Sequence, residues 1–85
     1  MRKIQFSNDA INDLKKFKSA EHKLAFKIFE LITDIQNDPF KGIGKPEPLK
    51  GNYKGFWSRR INDEHRLIYS LTDELIIIYS CFGHY

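Results

Sequence analysis

The sequence predicts an α+β domain in which two N-terminal helices pack on one face of a twisted, mainly antiparallel β-sheet. Apolar residues follow helical spacing in the first half of the chain and strand alternation in the second half. The length of 85 residues suits one small core, so residues 1–85 are expected to form a single domain. Two helices covering one face of such a sheet would leave its other face available.

The first strand is predicted at residues 3–6, followed directly by a helix. Ser7 or Asn8 can cap this helix, because their side-chain oxygens accept hydrogen bonds from the free N–H groups of the first turn. Its apolar positions are Ala10, Ile11, Leu14 and Phe17.

A second helix is predicted to follow Ser19, which can cap it. Glu21 falls in its first turn, where the helix dipole favours a carboxylate. The run Asn37-Asp38-Pro39 ends the helix. One apolar stripe should face the sheet, and it consists of Leu24, Ala25, Ile28, Leu31, Ile32 and Ile35.

Residues 38–48 hold three prolines and two glycines, a density that excludes both a helix and a central strand. Glu47 lies between Pro46 and Pro48, whose fixed φ angles keep its backbone extended. Its carboxylate can therefore be aimed with little loss of entropy, although an ordinary acidic loop residue would fit the same pattern.

Three antiparallel strands are predicted after this loop, at residues 56–61, 65–71 and 75–82. Arg66 should point to the available face of the sheet, where Arg60 can join it. The last strand is apolar on both sides, so periodicity leaves the face of His84 open. In the middle strand the more apolar set should face the helices, namely His65, Leu67, Tyr69 and Leu71.

The formal net charge of +3 is unevenly placed, because residues 41–66 carry seven basic and three acidic side chains. This segment also contains Tyr53, Phe56 and Trp57, and basic residues among aromatics are typical of a surface that contacts phosphates and bases. Ordinary solvated loop lysines would look similar. The basic residues are Lys41, Lys45, Lys50, Lys54, Arg59, Arg60 and Arg66.

Cys81 is the one cysteine and sits in an apolar run, which favours a buried thiol and a reducing cytoplasm. No run has the apolar length of a signal peptide or a membrane span, so a cytoplasmic protein without a membrane partner is expected. The three histidines His22, His65 and His84 are scattered, which predicts no metal site and no cofactor. His65 is most simply a hydrogen-bonded residue beside a turn.

Glu47, Arg66 and His84 supply the parts for metal-independent cleavage of RNA. A base removes the 2′-hydroxyl proton, a cation stabilises charge on the phosphoryl oxygens, and an acid protonates the departing 5′-oxygen. The products would be a 2′,3′-cyclic phosphate and a 5′-hydroxyl. Tyr85 follows His84 and is free to stack on a base.

Four stretches carry a resemblance to a known family: Gly44–Lys50 (GKPEPLK), Gly55–Ile61 (GFWSRRI), Glu64–Tyr69 (EHRLIY) and the final His84-Tyr85. On these motifs the sequence closely resembles the Txe/YoeB family of bacterial toxin-antitoxin toxins, within the RelE/ParE superfamily. The resemblance covers the whole chain and implies a RelE/ParE-like fold.

The resemblance implies a ribosome-dependent mRNA interferase that cuts mRNA in the ribosomal A site. A cognate antitoxin would hold it inactive, a homodimer is plausible, and operator DNA would be bound only through the antitoxin complex. An acidic antitoxin segment that covers the basic face would mask charge and exclude RNA together. By resemblance, Glu47 matches the general base, Arg66 the phosphate-stabilising arginine, His84 the general acid, Tyr85 the substrate-orienting tyrosine, and Lys50 and Arg60 the basic residues near the RNA.

Three other functions fit parts of the same pattern. A ParE-like toxin would bind DNA gyrase without cutting RNA. A plain binding module would hold nucleic acid on the basic segment, and a pure repressor subunit would act only in an operon-regulating complex.

Overall fold

The computed structural model describes residues 1–17 and 21–83, in which two helices pack against a five-stranded sheet. The sheet order is β1-β5-β4-β3-β2, and its neighbours are antiparallel except for β1 and β5. The predicted α+β class is confirmed. The elements are β1 (Lys3–Phe6), α1 (Asn8–Lys16), α2 (His22–Asn37), β2 (Glu47–Pro48), a 3-10 helix (Gly51–Tyr53), β3 (Trp57–Arg60), β4 (Arg66–Leu71) and β5 (Leu75–Ser80).

Ser7 caps α1, because its Oγ accepts a hydrogen bond from the Ala10 N–H at 3.0 Å. Ala10 is fully buried, as predicted, whereas Ile11 lies largely on the surface. Phe17 follows the helix in extended conformation and packs against the edge of the core. The helix therefore buries a narrower face than its apolar spacing predicts.

The helix α2 begins at His22, with Glu21 at its N-cap position and not in its first turn as predicted. The proposed cap, Ser19, lies outside the described residues. The helix ends at Asn37 as predicted. Ala25 is exposed, although its spacing places it in the predicted apolar stripe. Neither described helix is long and apolar enough to cross a membrane. Four members of the stripe are buried, namely Ile28, Leu31, Ile32 and Ile35.

The core lies between the helices and one face of the sheet. Leu67 and Tyr69 are fully buried there, which confirms the predicted orientation of β4. A β-bulge interrupts the pairing of β4 with β5, because Ile68 pairs with Ser80 while Tyr69 pairs with Ile78. The extra residue, Tyr79, reverses the alternation, so Cys81 is on the core side together with Ile78. The bulge thus sets the face that Cys81 takes, whereas His84 lies outside the described residues.

The three later strands are each one or two residues shorter than predicted, and side chains close the turns between them. Between β3 and β4, Asn62 Oδ1 accepts hydrogen bonds from the Glu64 and His65 N–H groups. Between β4 and β5, Thr72 Oγ1 accepts from the N–H groups of Glu74 and Leu75. These contacts form the two predicted turns.

Candidate active site

Glu47 lies in the edge strand β2 of the sheet. Glu47 belongs to the two-residue strand β2, where it pairs with Ser58 of β3. Its side chain is 62% exposed, so it can meet a ligand without a change in the core. The extended backbone predicted from the flanking prolines is confirmed as an edge strand, which tolerates prolines because its outer side needs no hydrogen-bond donor.

The loop before β2 is held from inside the protein by Arg59. This side chain is fully buried, and its five N–H donors are all used. Its Nη atoms donate to the backbone oxygens of Asp38, Lys41 and Ile43, at 2.7, 3.2 and 3.2 Å. Arg59 was predicted as part of the basic surface, and that prediction is wrong because the loop and the core enclose it.

The charge of Arg59 is balanced by Asp34 of α2, with Nη1 2.5 Å from Oδ2. The hydrogen bond from Arg59, together with one from the Ile43 N–H, holds the pKa of Asp34 below its ordinary value. Tyr69 completes the network, because it accepts from Arg59 Nε at 3.2 Å and donates to the Pro39 oxygen at 2.7 Å. Burial raises the pKa of the Tyr69 hydroxyl, which keeps it a donor.

Arg59, Asp34 and Tyr69 were not predicted as supports of the site. The sequence does contain a signal for Arg59, because alternation places it on the same side of β3 as Trp57 and Ile61. An arginine on an apolar face predicts a buried partner carboxylate. Asp34 is that partner, and it lies three residues after Leu31 on the buried side of α2.

Arg66 and Glu47 meet on the face of the sheet that points away from the helices. Arg66 pairs with Arg60 across β3 and β4, which confirms that the two arginines share a face. The Nη1 atom of Arg66 lies 4.0 Å from Oε1 of Glu47, and two-thirds of the Arg66 side chain is buried. A carboxylate and a guanidinium are therefore brought together from strands that are far apart in the sequence.

The two residues predicted to bind RNA, Lys50 and Arg60, both have side chains that reach the surface. The guanidinium of Arg60 is paired with the Asp63 carboxylate and also approaches the Asn62 backbone oxygen. Lys50 is exposed and forms the N-cap of the 3-10 helix that follows β2. Both cations are accessible, and that of Arg60 is already paired with the exposed carboxylate of Asp63.

The aromatic residues of the basic segment divide between the two faces. Trp57 packs against the core and against Phe40, with ring centroids 5.0 Å apart. Phe56 lies on the other face, where its ring is 4.6 Å from that of Tyr79. Ile68 is buried on that face, so only part of this face of the sheet is exposed to solvent. A groove of about 560 Å³ runs between α1 and these aromatics, with Phe56, Ile68, Tyr79 and Phe82 in its wall.

Two of the predicted catalytic residues, His84 and Tyr85, lie outside the described residues. Cys81 is buried as predicted, and burial raises the pKa of its thiol to about 12, which suits a packing residue and not a nucleophile. His65 is also buried. Its backbone N–H donates to Asn62 Oδ1, and its Nδ1 accepts from the Gly83 N–H. Within residues 1–17 and 21–83, no three histidine, cysteine or acidic side chains are grouped as metal ligands would be.

A family model of the YoeB-like toxin of bacterial type II toxin-antitoxin systems matches residues 6–85. The toxin YoeB of Synechocystis is 51% identical over 83 residues, which cover 98% of this chain and 96% of the relative. The mRNA interferase toxin YafQ of Escherichia coli is 32% identical over 77 residues, covering 88% of this chain and 83% of the relative.

Two solved structures from Staphylococcus aureus are similar over almost the full length. A YoeB dimer superposes with a TM-score of 0.90 at 47% identity, covering 99% of this chain and 98% of that one. The toxin in a heterotetrameric YoeB-YefM toxin-antitoxin complex superposes with a TM-score of 0.88 at 46% identity, covering 100% and 99%.

Proposed function

The chain belongs to the YoeB-like toxins of bacterial type II toxin-antitoxin systems, and from this we propose that it is a ribosome-dependent mRNA interferase. The observation that carries the proposal is the approach of Glu47 Oε1 to Arg66 Nη1, at 4.0 Å, on an exposed face of the sheet. The similarity to the mRNA interferase YafQ supports mRNA as the substrate. The ribosomal A site is proposed as the place where the mRNA is cut.

The proposed reaction uses the 2′-hydroxyl of the RNA as nucleophile, and protein side chains take the proton-transfer and charge-stabilising roles that a metal could otherwise fill. Glu47 removes the proton of the 2′-hydroxyl, and the 2′-oxygen attacks the adjacent phosphorus. Arg66 stabilises the negative charge that builds on the phosphoryl oxygens. His84 gives a proton to the departing 5′-oxygen, so the products are a 2′,3′-cyclic phosphate and a 5′-hydroxyl.

The remaining residues are proposed to place the RNA. Tyr85 orients the substrate by stacking on a base, a contact worth about 1 to 3 kcal/mol in other systems. Lys50 and Arg60 contact phosphates near the cut. Their exposure on the structure supports this role, because neither cation has to leave the core to reach RNA.

The proposed partners are an antitoxin, the ribosome and a second copy of the chain. The YoeB-YefM complex and the YoeB dimer support a YefM-like antitoxin and a homodimer. Operator DNA would be bound only through the antitoxin complex. Light scattering on the purified protein tests the dimer, which a monomer at micromolar concentration would contradict.

Mapping of 5′ ends on a translated message, with and without ribosomes, tests the enzyme and its ribosome dependence together. New 5′-hydroxyl ends at a fixed position in the reading frame are expected only with ribosomes. Cleavage of naked RNA at the same rate would remove the ribosome from the proposal. Gyrase inhibition without new RNA ends would favour a ParE-like toxin, and RNA binding without new ends would favour a binding module.

A further inference from the structure

The segment that follows β5 is held by backbone hydrogen bonds in addition to the buried Cys81 side chain and the Phe82 ring. The Cys81 N–H donates to Asp13 Oδ2 at 3.0 Å, and the Gly83 N–H donates to His65 Nδ1 at 2.9 Å. The Gly83 oxygen accepts from the Arg66 N–H, also at 2.9 Å. Residues 81–83 are thereby held against α1 on one side and β4 on the other.

The side chain of His65 is held in a fixed position, and its Nδ1 accepts a hydrogen bond. Its side chain is buried, and its backbone N–H is bonded to Asn62 Oδ1 at 2.8 Å. Its ring packs edge-on against Phe17 and close to Phe82, with centroids 5.2 and 4.4 Å apart. Because Nδ1 accepts the Gly83 N–H, the neutral ring must carry its proton on Nε2.

A packing role alone does not account for this arrangement. A leucine or phenylalanine would fill the space between Phe17 and Phe82 without burying a polar nitrogen. The polar contact acts on Gly83, which has a φ of +79° and is the last residue before His84. It therefore holds the backbone of the residue that directly precedes the proposed general acid.

We propose that His65 is a positioning residue, which holds the Gly83 backbone so that His84 reaches the departing 5′-oxygen. This inference rests on the proposed function, because it needs His84 to be the acid. An acid that is displaced by about 1 Å from its productive position can lose about 10²-fold in rate. Loss of the Gly83 bond should thus slow the chemical step and leave binding to the ribosome unchanged.

Two substitutions isolate the hydrogen bond. Asparagine has Oδ1 at the same number of bonds from the backbone as Nδ1 of histidine, so His65→Asn keeps an acceptor for the Gly83 N–H. Leucine has the same branching without an acceptor, so His65→Leu removes it. If His65→Leu does not fold, His65→Phe takes its place, because it keeps the ring packing against Phe17 and Phe82.

The first measurement is hydrogen exchange of the Gly83 amide by NMR on the full chain. We expect protection in the parent and in His65→Asn and faster exchange in His65→Leu, with thermal unfolding checked for all three. Equal protection in His65→Leu would overturn the inference, because His65 would not be holding the segment.

The second measurement is single-turnover cleavage on saturating programmed ribosomes. His65→Leu should be slower by about 10- to 10²-fold, and His65→Asn should recover most of the rate. A message with a 5′-phosphorothiolate at the cut site releases a thiolate that needs no proton, so the His65→Leu defect should vanish with it. A merely structural role would slow both messages equally and would overturn the inference.

The two proposals fail in different ways. A parent that does not cleave messages on ribosomes contradicts the proposed function, and the positioning role falls with it. A parent that cleaves, together with a His65→Leu variant that cleaves at the same rate despite an unprotected Gly83 amide, contradicts the positioning role alone.

Discussion

Arg59 and Arg60 are adjacent in the sequence and lie on opposite faces of β3. Arg60 is on the face away from the helices, where Asp63 pairs with it. Arg59 is enclosed by the loop before β2, and its charge is balanced by Asp34. Basic residues in a cluster are therefore not equivalent as ligands for RNA, because strand alternation sends every second one into the core.

At the residue scale, Asp34→Asn should destabilise the protein by roughly 3 kcal/mol near neutral pH, because it leaves the buried Arg59 without a counter-charge. The native pKa of Asp34 is below its ordinary value of 3.8, so the ionised form stabilises the fold above that pH. This contribution is lost as the pH falls through the native pKa.

Urea unfolding of the parent and of Asp34→Asn over a pH series measures the difference. The gap in unfolding free energy should be constant from pH 7 down to about 5 and should shrink below about 4. A gap that does not change with pH would mean that the Asp34 charge does not stabilise the fold.

Glu47→Gln should lower the single-turnover cleavage rate by about 10²- to 10⁴-fold, because the amide cannot take the 2′-hydroxyl proton. The side chain is exposed, so the unfolding free energy should change by less than about 0.5 kcal/mol. Glu74→Gln is the matched control, since Glu74 is an exposed glutamate in the turn before β5. A Glu47→Gln variant that cleaves as fast as Glu74→Gln would contradict the role of Glu47.

At the scale of elements, the loop of residues 38–46, which precedes β2, positions Glu47 through backbone contacts. The Gly44 oxygen accepts the Arg60 N–H at 2.6 Å, and Gly44 has a φ of +78°. A Cβ at this position would lie 2.7 Å from Leu31 Cδ2 and 3.0 Å from the Arg60 oxygen. The loop can approach β3 this closely only because the residue is glycine.

Gly44→Ala should therefore be more destabilising than Gly51→Ala, although both glycines have a similar positive φ. A Cβ at Gly51 meets nothing within 4 Å, so that substitution reports the backbone strain alone, about 1 kcal/mol. Gly44→Ala should lower the unfolding free energy by about 1 to 3 kcal/mol more than Gly51→Ala does, because the added Cβ overpacks the contact with Leu31. Equal urea midpoints for the two variants would show that the loop gives way without cost.

The bulge between β4 and β5 is the second element that shapes the site. It adds Tyr79 to one strand, so Tyr79 joins Phe56 on the face away from the helices while Cys81 enters the core. Residues 81–83 then run between Asp13 of α1 and His65, and the Gly83 oxygen accepts from the N–H of Arg66 in β4. A strand without the bulge would point the same residues to the opposite faces.

At the scale of the whole molecule, the proposed antitoxin surface shares Arg60 and Arg66 with the proposed site and also includes the exposed Lys50, which follows β2. An acidic antitoxin segment should therefore compete with programmed ribosomes for the protein. Lys50→Glu should weaken antitoxin binding several-fold, whereas Lys3→Glu on β1, at the opposite edge of the sheet, should not. Titration calorimetry measures both, and inhibition that excess ribosomes cannot relieve would contradict competition.

The sequence by itself determined the fold class and much of the secondary structure. Helical spacing, strand alternation and the turn residues Asn62 and Thr72 act over a few residues, so they can be read without the fold. The same local rules placed Arg60 and Arg66 on one face and gave Glu47 an extended backbone. The motifs around Glu47 and Arg66 were sufficient to identify the family, which is confirmed by the match of the family model to residues 6–85 and by the 51% identity to a YoeB toxin.

Only the tertiary structure decided which cations stay in solvent and which face the last strand presents. The burial of Arg59 depends on Asp34 and on a loop that follows α2, and neither is close to it in the sequence. The face of β5 depends on a bulge that forms only when two strands pair. The 4.0 Å approach of Glu47 to Arg66 joins two strands across a third, and such distances follow from the packing of the whole sheet, which local periodicity does not contain.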